Sequence, residues 1–272
     1  MIVLSGPQGM PDSAGWDASV RAYVDFAEPN TAAYAGPMVE LAVIRPGDAV
    51  LDVAAGSGAL TLPLIEAGAT VTAIDWSAGM IDVIRQRLGA ADNGGAHRAM
   101  QMDGQALEFA DASFDAALSL FGVILFPDFR AGLAEMVRVT RAGGRVVVGC
   151  WTDYAPPMML FRQAVAEAVP DLPPSPTPAG LAAMGTPEGF EAEMARLSLA
   201  SIATRRERRG WSMTRRQVAA QGESMLFQMP PWPQLSESQR RDVLAAMARI
   251  AERDAGLPFE GEAIVGAGVK PA

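Results

Sequence analysis

Two acidic residues and a glycine-rich bend are the groups in this chain whose types and spacing indicate chemistry. One apolar run ends at Asp52 and leads into a bend that contains Gly56 and Gly58, and a second apolar run ends at Asp75. Glycines allow a ligand to approach the backbone closely, and a carboxylate can accept hydrogen bonds from both hydroxyls of a ribose. Together these features indicate a ligand that carries an adenosine group.

Alternating strand and helix patterns surround these groups. The predicted strands are residues 49–53, 70–75, 97–102, 114–120, 145–150, 201–211 and 263–269. Helices are predicted at residues 58–67, after the capping residue Ser77 and after the capping residue Asp128. Strands that alternate with helices indicate an α/β fold in which a mostly parallel sheet has helices on both faces.

Composition limits the classes of protein to which the chain can belong. Its 272 residues, 50% of them hydrophobic, can form one domain with insertions. The net charge of −9 argues against a nucleic-acid partner, and no apolar run reaches the roughly 20 residues of a membrane span. The single cysteine excludes an intramolecular disulfide and a thiolate metal cluster. We therefore expect a cytoplasmic protein with no metal site and no membrane or nucleic-acid partner.

Glycine-rich bends of this kind bind three classes of ligand, and the residues after Asp52 distinguish between them. A phosphate-binding P-loop requires a Gly-Lys-Ser/Thr ending, which is absent here. A nicotinamide dinucleotide site usually has the pattern G-x-G-x-x-G, but Thr61 stands at the place of the third glycine. An acid at the start of the bend disfavours a pyrophosphate and favours a ligand with an amino group.

Residues 50–58 resemble motif I of the class I S-adenosylmethionine-dependent methyltransferases. Residues 75–80 are similar to the acidic segment after the second strand of that family, and residues 102–104 to its adenine-contact segment. Residues 111–115 and 135–144 resemble the UbiE-like branch, also called type 11. The ordered matches cover residues 48–150, and the family's seven-stranded Rossmann-like sheet with an antiparallel last strand is therefore expected. Ala54 departs from the glycine that many members carry, although a small residue still permits close approach.

The resemblance implies a role in binding S-adenosyl-L-methionine for several residues. The turn from Ala54 through Gly56 to Gly58 would pass under the methionyl group, and Asp52 would contribute negative charge near its ammonium. Asp75 would accept hydrogen bonds from both ribose hydroxyls.

The remaining implied contacts involve the adenine and the sulfonium. Trp76 and Met80 would contact the adenine ring, Asp103 would accept from its amino group, and the Gly104 amide would lie near a ring nitrogen. Ser119 and Phe121 would lie beside the sulfonium, because ligands of such sheets bind at the carboxyl ends of the strands.

The whole chain can be divided around this match. We assign residues 1–45 to a tail and lid helices, 46–150 to the cofactor-binding core, 151–200 and 212–260 to cap insertions, and 201–211 and 261–272 to the final strands. The lid helices and the cap insertions are expected to hold the substrate. The insertions are rich in methionine and aromatic residues, which suit either an adaptable pocket for a hydrophobic metabolite or a small core of the cap itself. These residues are Met158, Met159, Phe161, Met184, Met194, Trp211, Met213, Met225, Phe227, Met229 and Trp232.

A cluster of arginines and the only histidine do not point to a particular chemistry. Arg205, Arg206, Arg208 and Arg209, with Arg215 and Arg216, are expected to form a solvated or salt-bridged surface, with an anionic substrate or a partner surface as the alternative. His97, the only histidine, precedes the third predicted strand and so lies at the edge opposite the cofactor, which disfavours a catalytic role.

The sequence does not identify a catalytic residue. Methyl transfer from a sulfonium is an in-line displacement in which alignment and exclusion of water can suffice, so a general base is optional. Candidates near the expected acceptor are Tyr23, Tyr34, Asp153 and Tyr154. An acidic phenol, an enolisable carbon or an amine that binds neutral would suit such a site.

The sequence therefore predicts an S-adenosylmethionine-dependent methyltransferase of a small, hydrophobic metabolite, with the accepting atom unresolved. Alternatives are a cyclisation or rearrangement catalyst that uses the cofactor without transferring its methyl group, and a non-catalytic partner protein. A nicotinamide dehydrogenase is a third alternative. Both a monomer and a homodimer remain open.

Overall fold

The computed structural model describes residues 13–91, 95–223 and 230–272. It begins with helical segments that follow one another almost without interruption, in the region where lid helices are predicted from the sequence. These segments are α1 (Ser13–Ala22), a π-helical turn (Tyr23–Ala27), α2 (Glu28–Thr31), a 3-10 turn (Ala32–Tyr34) and α3 (Ala35–Ala42). We call residues 13–34 the N-terminal segment.

A seven-stranded sheet forms the centre of the molecule. Its strands are β1 (Ala49–Val53), β2 (Thr70–Asp75), β3 (Arg98–Gln101), β4 (Phe114–Leu120), β5 (Thr140–Trp151), β6 (Ala200–Gly210) and β7 (Glu260–Val269). The strand order is β3-β2-β1-β4-β5-β7-β6, and only β7 runs antiparallel to its neighbours. The predicted α/β fold class, with a mostly parallel Rossmann-like sheet, is therefore confirmed.

Helices between the parallel strands cover both faces of the sheet. They are α4 (Thr61–Glu66), α5 (Ala78–Ala91) and α6 (Phe129–Val139). Asp128 caps α6 as predicted, because its Oδ1 accepts from the Ala131 amide at 3.0 Å. The predicted start of α4 at residue 58 was wrong, since Gly56 and Gly58 have positive φ angles of 57° and 100° that no right-handed helix can adopt.

The two insertions contain further helices with different surroundings. They are α7 (Pro156–Ala168), α8 (Ala179–Met184), α9 (Pro187–Arg196), α10 (Arg215–Gln221) and α11 (Glu237–Arg253). Helices α7 and α11 share an apolar cluster that includes Trp232, while Met184 and Met194 of α8 and α9 belong to the main core. Met225, Phe227 and Met229 lie outside the described residues.

The arginines of β6 are paired with glutamates along the edge of the sheet. Arg205 and Arg209 contact Glu207 at 2.9 and 2.8 Å, whereas Arg206 and Arg208 contact Glu262 at 2.9 and 2.7 Å. This is the salt-bridged surface expected from the sequence. Charged side chains on an edge strand also oppose pairing with a strand of another molecule.

Candidate functional site

The loop after β1 forms the floor of a cavity at the carboxyl ends of the parallel strands. The loop reverses direction through three residues of positive φ, which are Ala54 (53°), Gly56 (57°) and Gly58 (100°). A Cβ on Gly122, in the turn after β4, would collide with the Cβ of Ala54. The two turns therefore pack together because both residues are small.

Asp75 connects this loop to the end of β2. Its Oδ2 accepts from the Gly56 amide at 2.8 Å, and its Oδ1 accepts from the Ser77 amide at 2.9 Å. Burial is the main cause that raises the pKa of this carboxyl group above its ordinary value. Asp75 lines the cavity, and each carboxylate oxygen can accept a second hydrogen bond from a ligand hydroxyl.

Asp52 lies beneath the loop and does not line the cavity. The residue is fully buried, and its Oδ2 accepts from the Thr61 hydroxyl at 2.6 Å, while its Oδ1 has no partner among the described residues. The pKa of Asp52 is raised to about 7. Burial is the largest cause, the hydrogen bond from Thr61 partly opposes it, and the negative charge of Asp75 adds to the rise. The side chain therefore braces the first turn of α4 and titrates near neutral pH.

Residues after β2 and β3 line one end of the cavity, and the adenine contacts expected of them stay a prediction. Trp76 is 41% exposed and Met80 is buried, and both line the cavity. The Oδ1 atom of Asp103 accepts a 2.9 Å hydrogen bond from the backbone amide of Gln105. A Cβ on Gly104 would lie 2.6 Å from the Phe126 ring, so glycine is required where this ring packs against the loop.

The turn after β4 contributes an aromatic wall to the other end. Phe121 has a positive φ of 64° and stacks on Trp151 with ring centroids 4.0 Å apart and planes 9° apart. Ser119 is fully buried instead of lining the cavity, because its Oγ donates to the Val53 carbonyl at 2.8 Å and accepts from the Val123 amide at 3.0 Å. Gly58 also lies away from the cavity, against Ile84.

The cavity has a volume of about 380 Å³ and is mostly apolar. Among its described lining residues the carboxylates are Asp75 and Asp103, and Lys, Arg and His are absent. Of the methionine and aromatic residues singled out in the insertions, Met158 and Trp211 line it. The predicted cofactor residues that line it are Ala54, Gly56, Asp75, Trp76, Met80, Asp103, Gly104 and Phe121.

The four candidate catalytic residues have different positions. Tyr23 and Tyr154 line the cavity. Tyr34 is buried beside it and donates to the Gly261 carbonyl at 2.7 Å, and Asp153 is exposed and accepts from the neighbouring Tyr154 amide. Burial raises the pKa of Tyr23 to about 12, so its hydroxyl is protonated at neutral pH and can act as a hydrogen-bond donor.

The N-terminal segment closes the cavity through two polar contacts that the sequence did not reveal. Asp17 accepts from the Ser77 hydroxyl at 2.5 Å and from the Gly79 amide at 2.9 Å. Glu28 forms an ion pair with Arg87 and accepts from the Ser57 hydroxyl at 2.6 Å. The paired residues are 29 to 62 positions apart in the chain, so no local motif could have identified them.

Comparisons with known proteins address the family to which the chain belongs. The model of the methyltransferase-domain family matches residues 51–148. A demethylmenaquinone methyltransferase from a Mycobacterium species is 36% identical over 181 residues, which cover 63% of this chain and 71% of that protein. The chain belongs to the family of class I S-adenosylmethionine-dependent methyltransferases. The resemblance seen in its motifs is thereby confirmed.

Two further proteins show how far the likeness extends in sequence and in fold. An uncharacterised protein from Mycobacterium tuberculosis is 40% identical over 144 residues, and this chain spans about half (52%) of its length. The YcgJ protein of Bacillus subtilis shares the fold with a TM-score of 0.57 at 17% identity, over 88% of this chain and 98% of that one.

Metal-ligand clusters and membrane-spanning helices are absent from the described residues. No group of three or more His, Cys, Asp or Glu side chains in residues 13–91, 95–223 and 230–272 could hold a metal ion. Within the same ranges, every helix is too short or too polar to cross a bilayer.

Proposed function

We propose that this chain binds S-adenosyl-L-methionine and transfers its methyl group to a small, uncharged and largely apolar acceptor. The observation that carries the proposal is a single cavity with two chemically different ends. Asp75 and Asp103 give one end its polar character, whereas the stacked Phe121 and Trp151 form a wall of the other.

The residues at the polar end fit the cofactor. A Cβ on Gly56 would lie 3.1 Å from the Tyr23 hydroxyl, so the absence of a side chain keeps this part of the cradle open. Asp75 would hold the ribose hydroxyls, while Trp76 and the Gly104 backbone would hold the adenine. When bound, the cofactor supplies a methyl group activated by a positively charged sulfur, and the lining carboxylates favour a cation.

The chain's own contribution to the reaction would be alignment and exclusion of water. The N-terminal segment covers the cavity, and the aromatic wall would hold the acceptor in line with the carbon–sulfur bond. The acceptor would supply the electron pair for the new bond to carbon, the sulfur would keep the pair of the bond that breaks, and a proton carried by the acceptor would pass to solvent when the product leaves. Orientation of this kind can contribute about 7–11 kcal/mol.

The cavity also supports the proposed class of acceptor. Because the described lining contains no cationic side chain, a carboxylate or phosphate on the acceptor would lack a partner. The mycobacterial relative is named for the methylation of demethylmenaquinone, and an apolar cavity with an aromatic wall suits a ring-bearing acceptor.

Calorimetry with S-adenosylhomocysteine tests cofactor binding. The variant Asp75→Ala should bind at least about 100-fold more weakly, because each hydrogen bond to a charged acceptor contributes roughly 1.5–3 kcal/mol. The matched control is Asp82→Ala, which removes an exposed carboxylate from α5 and should leave the affinity unchanged. Equal binding by the wild type and Asp75→Ala would refute the proposed site.

Product analysis separates methyl transfer from the other functions. A methyltransferase yields S-adenosylhomocysteine and a product heavier by one methyl group. A product of unchanged mass would indicate a cyclisation catalyst, and failure of the wild type to bind S-adenosylhomocysteine below roughly 100 μM, the range of about −5.5 kcal/mol, would indicate a scaffold. NAD binding that depends on Asp75 would indicate a dehydrogenase.

A further inference from the structure

Two polar atoms at the aromatic end of the cavity have no hydrogen-bond partner among the described residues. They are Oη of Tyr154 and Nε1 of Trp211, and both atoms are buried. Both residues line the cavity. Since buried polar groups in folded proteins are nearly always hydrogen-bonded, an unpartnered pair beside one cavity calls for a physical reason.

The rings that carry these atoms are held in place by contacts that do not use them. The Arg162 guanidinium lies 4.3 Å from the centre of the Tyr154 ring and donates to the Ser175 carbonyl at 3.2 Å. Trp211 packs against Trp151, and the centroids of the two rings are 6.4 Å apart. These contacts order both rings without engaging either polar atom.

Tyr34 provides an internal comparison for Tyr154. Tyr34 packs edge-on against the same Trp151 ring, at a centroid distance of 5.2 Å. Its hydroxyl is satisfied by the Gly261 carbonyl at 2.7 Å. The fold thus supplies a partner to Tyr34, which does not line the cavity, whereas Tyr154, which does, has none among the described residues.

We propose that Tyr154 and Trp211 determine specificity by donating hydrogen bonds to an oxygen of an uncharged aromatic acceptor. This inference rests on the proposed function and names the chemistry of its substrate. An indole nitrogen can only donate, so the matching group is a hydroxyl or carbonyl oxygen. The flat surface of Phe121 and Trp151 suits a planar ring, and the lack of a cation in the described lining disfavours an anionic oxygen.

The first test needs no ligand and compares two tyrosine variants by thermal unfolding. Tyr154→Phe should leave the midpoint unchanged or raise it, because it removes a buried hydroxyl that has no partner. Tyr34→Phe should lower the midpoint, because it removes a buried hydrogen bond. A fall for Tyr154→Phe as large as that for Tyr34→Phe would overturn the proposal, since it would reveal a structural partner for the Tyr154 hydroxyl.

The second test measures the binding of 1-naphthol and naphthalene by equilibrium dialysis, with and without S-adenosylhomocysteine. These probes differ by one hydroxyl, and the wild type should bind 1-naphthol about tenfold more tightly. Tyr154→Phe and Trp211→Phe should each reduce this preference and leave naphthalene binding unchanged. A preference that persists in both variants would overturn the proposal, as would a wild type that binds neither probe or binds both equally.

The two proposals can fail separately in these experiments. The affinity for S-adenosylhomocysteine should be the same in Tyr154→Phe, Trp211→Phe and the wild type, whereas Asp75→Ala should lose it. If the wild type does not bind S-adenosylhomocysteine, the proposed function fails, while the dialysis without that ligand still decides whether the donor pair recognises an oxygen.

Discussion

Replacing Asp52 by asparagine should change how the stability of the protein depends on pH. Asp52 is fully buried under the glycine loop, and its Oδ1 lacks a partner among the described residues. Burial is the main cause that raises its pKa from 3.8 to about 7. Asparagine has nearly the same shape and can still accept from the Thr61 hydroxyl, but it does not titrate.

The sign and size of the effect follow from proton linkage. Between about pH 4 and pH 7 the unfolded chain has released the Asp52 proton, whereas the folded protein still holds it. The free energy of unfolding therefore falls as pH rises through this window and becomes level above pH 7. One pKa unit corresponds to about 1.36 kcal/mol, so the rise from 3.8 to about 7 corresponds to about 4 kcal/mol.

Urea unfolding followed by tryptophan fluorescence can measure this difference at pH 5, 6, 7 and 8. The free energy of unfolding of Asp52→Asn minus that of the wild type should increase by about 2–3 kcal/mol from pH 5 to pH 8. A buried amide that lacks an acceptor shifts this difference by the same amount at every pH. The control Asp82→Asn alters an exposed carboxylate and should show no such slope. A difference that stays constant with pH for Asp52→Asn would refute the reasoning.

The sheet could be predicted because its strands leave a strong local signal. Strands buried on both faces appear as short apolar runs, and glycines with positive φ follow where the chain must turn. The start of α4 was predicted too early, at residue 58, because glycine identity does not reveal that Gly58 adopts a φ of 100°.

The positions of individual side chains could be predicted less well, since packing decides them. Asp52 and Asp75 both follow apolar runs, yet only Asp75 reaches the cavity. Ser119 was expected at the cavity, but its hydroxyl connects β1 to the turn after β4. Asp17 and Glu28 act on partners distant in sequence. Such contacts depend on the assembled fold and have no periodic signature.

Two further variants probe the walls of the cavity. Gly122→Ala should lower the free energy of unfolding by about 1–3 kcal/mol through collision with the Ala54 Cβ, and the second change Ala54→Gly should restore part of it in urea unfolding. Glu28→Gln should speed release of S-adenosylhomocysteine about three- to tenfold in stopped-flow measurements. The ion pair between Glu28 and Arg87 anchors the N-terminal segment to α5. A half-buried charged hydrogen bond of this kind contributes more than an exposed one. The control Asp25→Asn breaks an exposed ion pair within the same segment and should leave the release rate unchanged. Equal release rates for Glu28→Gln and Asp25→Asn would mean that this ion pair does not hold the segment closed.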